Sequence, residues 1–340
     1  MDSQPAMHLN QRDESGIKPA DRGIYLIANH RSTEECYNLI YSIRECGCRL
    51  PIHVIPYGGK PLLPRHPLDG VRLLSLADFP AEGIQFVEEL QRRMPQCSPG
   101  LLRRFLAWFG EFDEFLYSDN DIVCLMNWEE LFPYLEHYEI VHADNEYLTG
   151  GIFNAVLPDR FEELLGPGAL GRAITAGHFL CRRSSRHPAD LLDALSWMEA
   201  HPEVLKWHDQ ALLHATLVRA RWPALNLCKP PHNWASSWAG HYRNVLDLLR
   251  TIQVARRPIS HLHYSGGIGT GTRPVDELLY SQLPPQKRNR RLLLALMREA
   301  SGLAAIHNLA GRARGKAARM AGKPSVARTK PTEEKQQRQG

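Results

Sequence analysis

A sheet with helices on both faces, the α/β class, is what this 340-residue sequence predicts. Two observations predict it. Short apolar runs of strand length alternate with segments of helical periodicity between residues 23 and 143. The runs are also apolar at consecutive positions rather than at every second one, as expected of strands covered on both faces.

The elements follow in order. Gly23-Ile-Tyr-Leu-Ile-Ala28 is the first strand. Ser32-Thr-Glu-Glu35 predicts a capping box, opening a helix with Cys36, Leu39, Ile40 and Ile43 on its buried side. Pro51-Ile-His-Val-Ile-Pro56 is a second strand, closed by a turn at Tyr57-Gly-Gly, and Val71-Arg-Leu-Leu-Ser75 a third. Ile84, Val87 and Leu90 mark one helix; Leu102, Phe105, Leu106 and Phe109 mark another. A strand follows at Phe115–Leu116 and a fifth at Glu139-Ile-Val-His-Ala143. Beyond Asp144 the pattern loosens: Gly150-Gly151, Gly166-Pro-Gly168 and Gly171 read as loops, and residues 188–200 and 207–220 as helices. Trp222 to Trp238 is irregular and rich in aromatics, Ile259–Tyr264 is a short alternating strand, and Ser265–Gly271 a glycine-rich loop.

Composition narrows the function classes. Hydrophobic residues at 43% and charged residues at 23% are ordinary globular values. Seven cysteines form an odd set without a Cys-x-x-Cys pair, which fits a reduced, cytosolic compartment. No apolar run approaches the 18 or so residues of a membrane span, and Met1–Arg22 lacks the apolar core of a secretion signal. Charge is uneven. From Lys287 on there are 14 basic residues against 3 acidic, a net +11, which leaves 27 against 34 in residues 1–286, a net −7. A helix is predicted over Arg290–Glu299, and the stretch from about Gly311 as a disordered basic tail. No aromatics interleave with those cations, so nucleic acid is not the expected partner, whereas anionic lipid headgroups would attract them.

The most informative segment is Phe115-Leu116-Tyr117-Ser118-Asp119-Asn120-Asp121-Ile122-Val123. Residues two apart at a strand end point to one side, so Asp119 and Asp121 converge, and converging carboxylates call for a hard divalent cation. His261-Leu-His263-Tyr264 places two imidazoles on one side of a later strand. In doubly wound sheets ligands sit beyond the carboxyl ends of the strands, where Asn29-His30-Arg31 and Asp119–Asp121 both fall.

From Gly23 to about Gly267 the chain resembles GT-A nucleotide-sugar glycosyltransferases, in particular the glycogenin and lipopolysaccharide-galactosyltransferase group. The resemblance implies a Rossmann-type nucleotide-diphospho-sugar transferase sheet and metal-dependent transfer of a sugar from a nucleotide-sugar donor to a glycan or other acceptor, with retention of configuration. It implies Asp119, Asp121 and His263 as ligands of Mn²⁺ (or Mg²⁺), with His261 a lesser candidate. It implies donor contacts from Asn29, from Arg103 or Arg104, from Ala176 and Gly177 in Ile174-Thr175-Ala176-Gly177, and from Gly266. Asp209 and Gln210 would open a helix facing the reacting carbon. Two departures stand out: Thr175 replaces the usual Asn, and the usual lysine after the glycines is missing, with Arg273 the nearest cation. They keep open a second class, a transferase-like fold that holds a nucleotide-sugar or serves as a scaffold without turnover. A nucleotidyltransferase would want a basic, glycine-rich loop after the first strand, and Asn29-His30-Arg31-Ser32 is not one. The layout expected is a disordered segment over 1–22, the transferase-like domain over 23–286, an amphipathic helix over 287–310 and the basic tail over 311–340, which could touch an anionic membrane from the cytoplasm.

Overall fold

The computed structural model describes residues 21–62, 69–143, 154–184, 186–242 and 245–264. The terminal segments, Gly150-Gly151, the glycine-rich loop with Gly266, Arg273 and the Arg290–Glu299 stretch lie outside the described residues.

The main sheet has seven strands: β1 (Arg22–Ala28), β2 (Ile52–Pro56), β3 (Val71–Leu73), β4 (Glu114–Ser118), β6 (Ile140–His142), β7 (His178–Arg182) and β8 (Ala224–Asn226), in the order β3-β2-β1-β4-β7-β6-β8. A separate two-stranded sheet pairs β5 (Ile122–Cys124) with β9 (His261–His263) antiparallel. Neighbours β3, β2, β1 and β4 are parallel, whereas β7 runs antiparallel to both β4 and β6. The sheet is therefore mixed, a feature its apolar runs did not reveal. Successive residues of β1 feed opposite cores: Tyr25 and Ile27 pack with Phe105, Leu106, Phe115 and Phe179 on one face, and Ile24, Leu26 and Ala28 with Leu39, Ile40, Val54 and Trp128 on the other.

Helices α1 (Thr33–Glu45), α2 (Ala81–Arg93), α5 (His187–Ala200) and α6 (Asp209–Arg219) cover these faces, with short helices α3 (Pro99–Leu102) and α4 (Pro158–Leu165) between strands. Two local expectations are corrected. The capping box lies one turn earlier, between Asn29 and Ser32, and closes a 3₁₀ turn, while Ser32 makes no cap bond to α1. Its hydroxyl is already taken, accepting from the Asn29 N–H at 3.2 Å and from Asn120 Nδ2 at 2.8 Å. The helix expected around Leu102–Phe109 is only one α turn, followed by a 3₁₀ stretch from Arg103 to Phe109. Sequence reading also missed α4, β7 and β8.

What this topology positions is one place. The strand order reverses between β1 and β4, so chain leaving β1 turns toward β2 and chain leaving β4 turns the other way. The gap beyond their carboxyl ends is the crevice where ligands bind in such sheets.

Candidate metal and nucleotide site

β4 delivers Ser118 to that crevice, and the next residue leaves the strand with its N–H donating to the Gly177 carbonyl at 2.7 Å. Asn120 ties the turn down, its Nδ2 donating to Ile27 O at 2.8 Å and to Ser32 Oγ at 2.8 Å. Asp119 and Asp121 flank that anchor. The chain then enters β5, whose Ile122 pairs with His263 of β9, and the Tyr264 N–H donates to the Asp121 carbonyl at 2.8 Å. Strand pairing thus brings a distant histidine to the aspartates: His263 Nε2 lies 3.5 Å from Asp121 Oδ1. One ligand atom from each of Asp119, Asp121 and His263 falls within 4.8 Å of the others.

The donor set fits a divalent ion of Mn²⁺ character, two hard carboxylates and one borderline imidazole. The backbone fits as well. A Cβ at Gly177 would lie 2.7 Å from His263 Cε1 and 3.1 Å from Asp119 Oδ2, so a side chain there would crowd both groups. Gly177→Ala is therefore expected to push the imidazole off Asp121 and weaken Mn²⁺ binding by roughly 10–100-fold, the usual cost of disturbing a ligand's support. Titration calorimetry with Mn²⁺ checks this; equal affinity in the variant would remove His263 from the site.

Arg104 organises the carboxylates. It is 2% exposed, and its Nε lies 2.9 Å from Asp209 Oδ2 and its Nη2 3.5 Å from Asp119 Oδ1. The same Nε donates to the Leu101 carbonyl at 3.0 Å, Nη1 donates to the Ala176 carbonyl, and the guanidinium sits 5.3 Å over the Tyr117 ring. Burial opposes the charge, but Asp119 and Asp209 outweigh it, and the guanidinium pKa is raised. Burial raises the Asp119 pKa; Arg104 pulls it down and Asp121 adds to the rise. Tyr117 Oη donates to Asp119 Oδ1 at 2.6 Å. Arg103, one residue earlier, points elsewhere, to the Pro56 carbonyl at 3.1 Å.

Beside the aspartates lies a cavity of about 450 Å³ lined by Asn29, Arg31, Ser32, Tyr57, Asp119 and Asp121, among others. Asn29 Nδ2 donates to Gly58 O at 3.2 Å, and Gly58 holds a φ of +124° that a side chain would strain. Arg31 and Tyr57 were not singled out as site residues from the sequence; the rule that ligands sit at carboxyl strand ends is the signal that points to both.

Asp209 and Gln210 begin α6, at 5% and 9% exposure, behind the His208 cap, whose Nδ1 accepts from the Ala211 N–H at 3.2 Å. Through Arg104, Asp209 is linked to Asp119, so the helix start and the metal cluster form one network. Ala176 and Gly177 contribute through backbone carbonyls, to Arg104 and to the Asp119 N–H respectively. His261 lies outside the three-residue cluster: it is fully buried, its ring tilted against that of His178 with centroids 3.7 Å apart, and its Nδ1 is 2.6 Å from Ser260 Oγ.

No family model matches the sequence, and no curated protein is similar to it. Solved structures do match. The galactosyltransferase LgtC, in complex with donor and acceptor sugar analogues, is 17% identical with a TM-score of 0.50, over 78% of this chain and 99% of that one. An active-site mutant of LgtC matches with a TM-score of 0.50 at 16% identity over the same shares, 78% and 99%. The bifunctional glycosyltransferase WbbM, in its apo form, is 13% identical over 81% of this chain and 52% of its own, with a TM-score of 0.49. The chain has the fold of LgtC, the GT-A architecture that the sequence resemblance implied.

Proposed function

We propose that this chain is a metal-dependent glycosyltransferase that moves a sugar from a nucleotide-sugar donor to a glycan or other acceptor with retention of configuration. The observation that carries this reading is the convergence of Asp119, Asp121 and His263 at the carboxyl end of β4, linked through buried Arg104 to Asp209 at the start of α6. Asp119, Asp121 and His263 would hold the divalent ion, Mn²⁺ by its imidazole ligand, which when bound supplies a Lewis acid against the charge of a departing nucleoside diphosphate.

The chain's own residues do the rest. Asn29, Arg31 and Tyr57 border a cavity whose volume of about 450 Å³ falls within the range of small-molecule sites. The nucleoside is assigned to it. Arg103 is the cation at the rim of the β2 loop, while Arg104, with its donors committed to carboxylates and carbonyls, acts by holding Asp119 and Asp209 in place rather than by meeting phosphate. Ala176 and Gly177 border the donor sugar, and Gly266 and Arg273 are assigned to the diphosphate. Asp209 and Gln210 face the reacting carbon. Asp209 is engaged with Arg104 at 2.9 Å, which disfavours its service as a general base for inversion and supports retention. Seven free cysteines support a reducing cytoplasmic setting. The basic segment 311–340 is assigned to peripheral contact with anionic membrane.

A screen of UDP-, GDP- and TDP-sugars with Mn²⁺ tests the reading by thermal shift and nucleotide release. One donor class is expected to stabilise the protein and to release nucleoside diphosphate, and EDTA to abolish both. Stabilisation without release, with or without an acceptor, would make the chain a binding protein. No stabilisation by any donor would remove the nucleotide-sugar reading altogether.

A further inference from the structure

The side-chain amide of Gln210 has a fixed orientation, and its cause can be traced from two backbone carbonyls. Ala169 O can only accept, so His214 Nε2, 2.9 Å away, carries a proton. His214 is 1% exposed and burial pushes its pKa down to about 4, so the ring is neutral and Nδ1 is a bare acceptor. The Asn154 amide faces Nδ1 at 3.4 Å and Ile174 O at 3.5 Å. Both are acceptors, so the NH₂ end of Asn154 must point at them. Its Oδ1 is then turned to Gln210, whose Nε2 donates to it at 2.8 Å. Each step follows from which atoms can donate, without needing to tell amide oxygen from nitrogen by position. The Gln210 Oε1 is the end left over, turned away from Asn154.

The relay is built into the fold. His214 lies four residues after Gln210 on α6, hence on the same helix face, and packs on Phe161 with ring centroids 5.0 Å apart. Asn154 is pinned on both sides of its own peptide: Lys206 N–H donates to its carbonyl at 2.9 Å, and Ala155 bridges to Leu205. The segment that carries Asn154 is therefore joined to the chain that runs into α6.

We infer that Asn154 and His214 are positioning residues that lock Gln210 so that it presents its carbonyl oxygen, and not its NH₂, to the substrate. The inference rests on the transferase reading and deepens it. A carbonyl oxygen offers lone pairs to a sugar hydroxyl and places negative potential beside a carbon that becomes cation-like as the leaving group departs. An NH₂ in the same place would put its positive edge there and oppose the reaction.

The test separates the relay from the activity. In ¹⁵N-edited NMR of the metal-free protein, His214 is expected as the Nε2–H tautomer, and the Gln210 side-chain NH₂ is expected to exchange slowly with solvent. His214→Gln supplies an NH₂ for Ala169 O and a carbonyl for Asn154, so it keeps that protection; His214→Leu and Asn154→Ala lose it. With a donor from the screen, His214→Leu is expected to lower kcat by roughly 10–100-fold at unchanged donor KM, the scale of a small misplacement at a reacting centre. His214→Gln should stay within about threefold of wild type, and His214→Leu should add nothing in a Gln210→Ala background, because residues acting through one another are not additive. If His214→Leu fails to fold, Asn154→Ala takes its place in the same cycle. Rapid exchange of the Gln210 amide in the wild type, or an undiminished effect in the Gln210→Ala background, would overturn the relay. The expected NMR pattern with no turnover of any donor would overturn the transferase reading and leave the relay standing.

Discussion

Asp121→Asn is expected to reduce metal-dependent donor turnover by roughly 10²–10³, the usual loss when one charge-stabilising group at a leaving group is removed. The substitution keeps the size of the side chain and leaves untouched the Asp121 carbonyl that accepts from Tyr264. The fold should survive, and the metal-free variant should be no less stable than wild type, since a like charge beside Asp119 is gone. A second readout does not depend on catalysis. Mn²⁺ at 100 times its dissociation constant stabilises a folded protein by about 2.7 kcal/mol when it binds only the native state. Wild type should show an Mn²⁺-dependent rise in Tm and the variant none. An Mn²⁺-dependent rise equal to that of wild type would place the cation elsewhere.

Arg104→Met is expected to cost about 3–5 kcal/mol of folding stability, the penalty for removing one member of a buried ionic group and leaving its partners uncompensated. The partners are Asp209, 5% exposed at 2.9 Å from Arg104 Nε, and Asp119 at 3.5 Å from Nη2. Methionine fills most of the volume, so the loss is electrostatic rather than a cavity. Arg104→Lys should recover only part of it, because one ammonium cannot serve the carbonyls of Leu101 and Ala176 and two carboxylates on different sides. The informative comparison is Arg104→Met combined with Asp209→Asn: neutralising the orphaned carboxylate should return a sizeable part of the lost stability in urea denaturation. Additive losses in the double variant would mean that Arg104 and Asp209 are not coupled, and the network linking the metal cluster to α6 would fall with them.

β1, β2 and β4 were legible because each is a run buried on both faces, the edge strand β3 by its apolar residues alone, and Asp119-x-Asp121 because it interrupts such runs at a strand end. β7 was not legible, since His178 and Arg182 give it polar ends and its apolar centre is three residues long. The pairing of β5 with β9 joins segments far apart in sequence, and nothing local announces it; His263 could be matched to a pattern, but not placed. The choice between Arg103 and Arg104 was also beyond the sequence. Adjacent residues on a 3₁₀ stretch point in different directions, and only the fold shows that the second is buried among carboxylates while the first reaches the β2 loop. Asn154 and His214 carried no signal, because a relay is defined by which atoms can donate to which, and that exists only once the backbone carbonyls of Ala169 and Ile174 are in place.

The small β5–β9 ladder has a consequence for the order in which the protein is made. The aspartates emerge from the ribosome early, the histidine only after most of the described chain has followed. Until then β5 has an open edge, a row of unpaired peptide groups that other strands could join. A nascent or prematurely terminated chain can complete the seven-stranded sheet and still lack His263, the third member of the Asp119–Asp121–His263 cluster. Synthesis itself therefore acts as a timer: partial products carry the crevice but not the full cluster, which is complete only once β9 has been made.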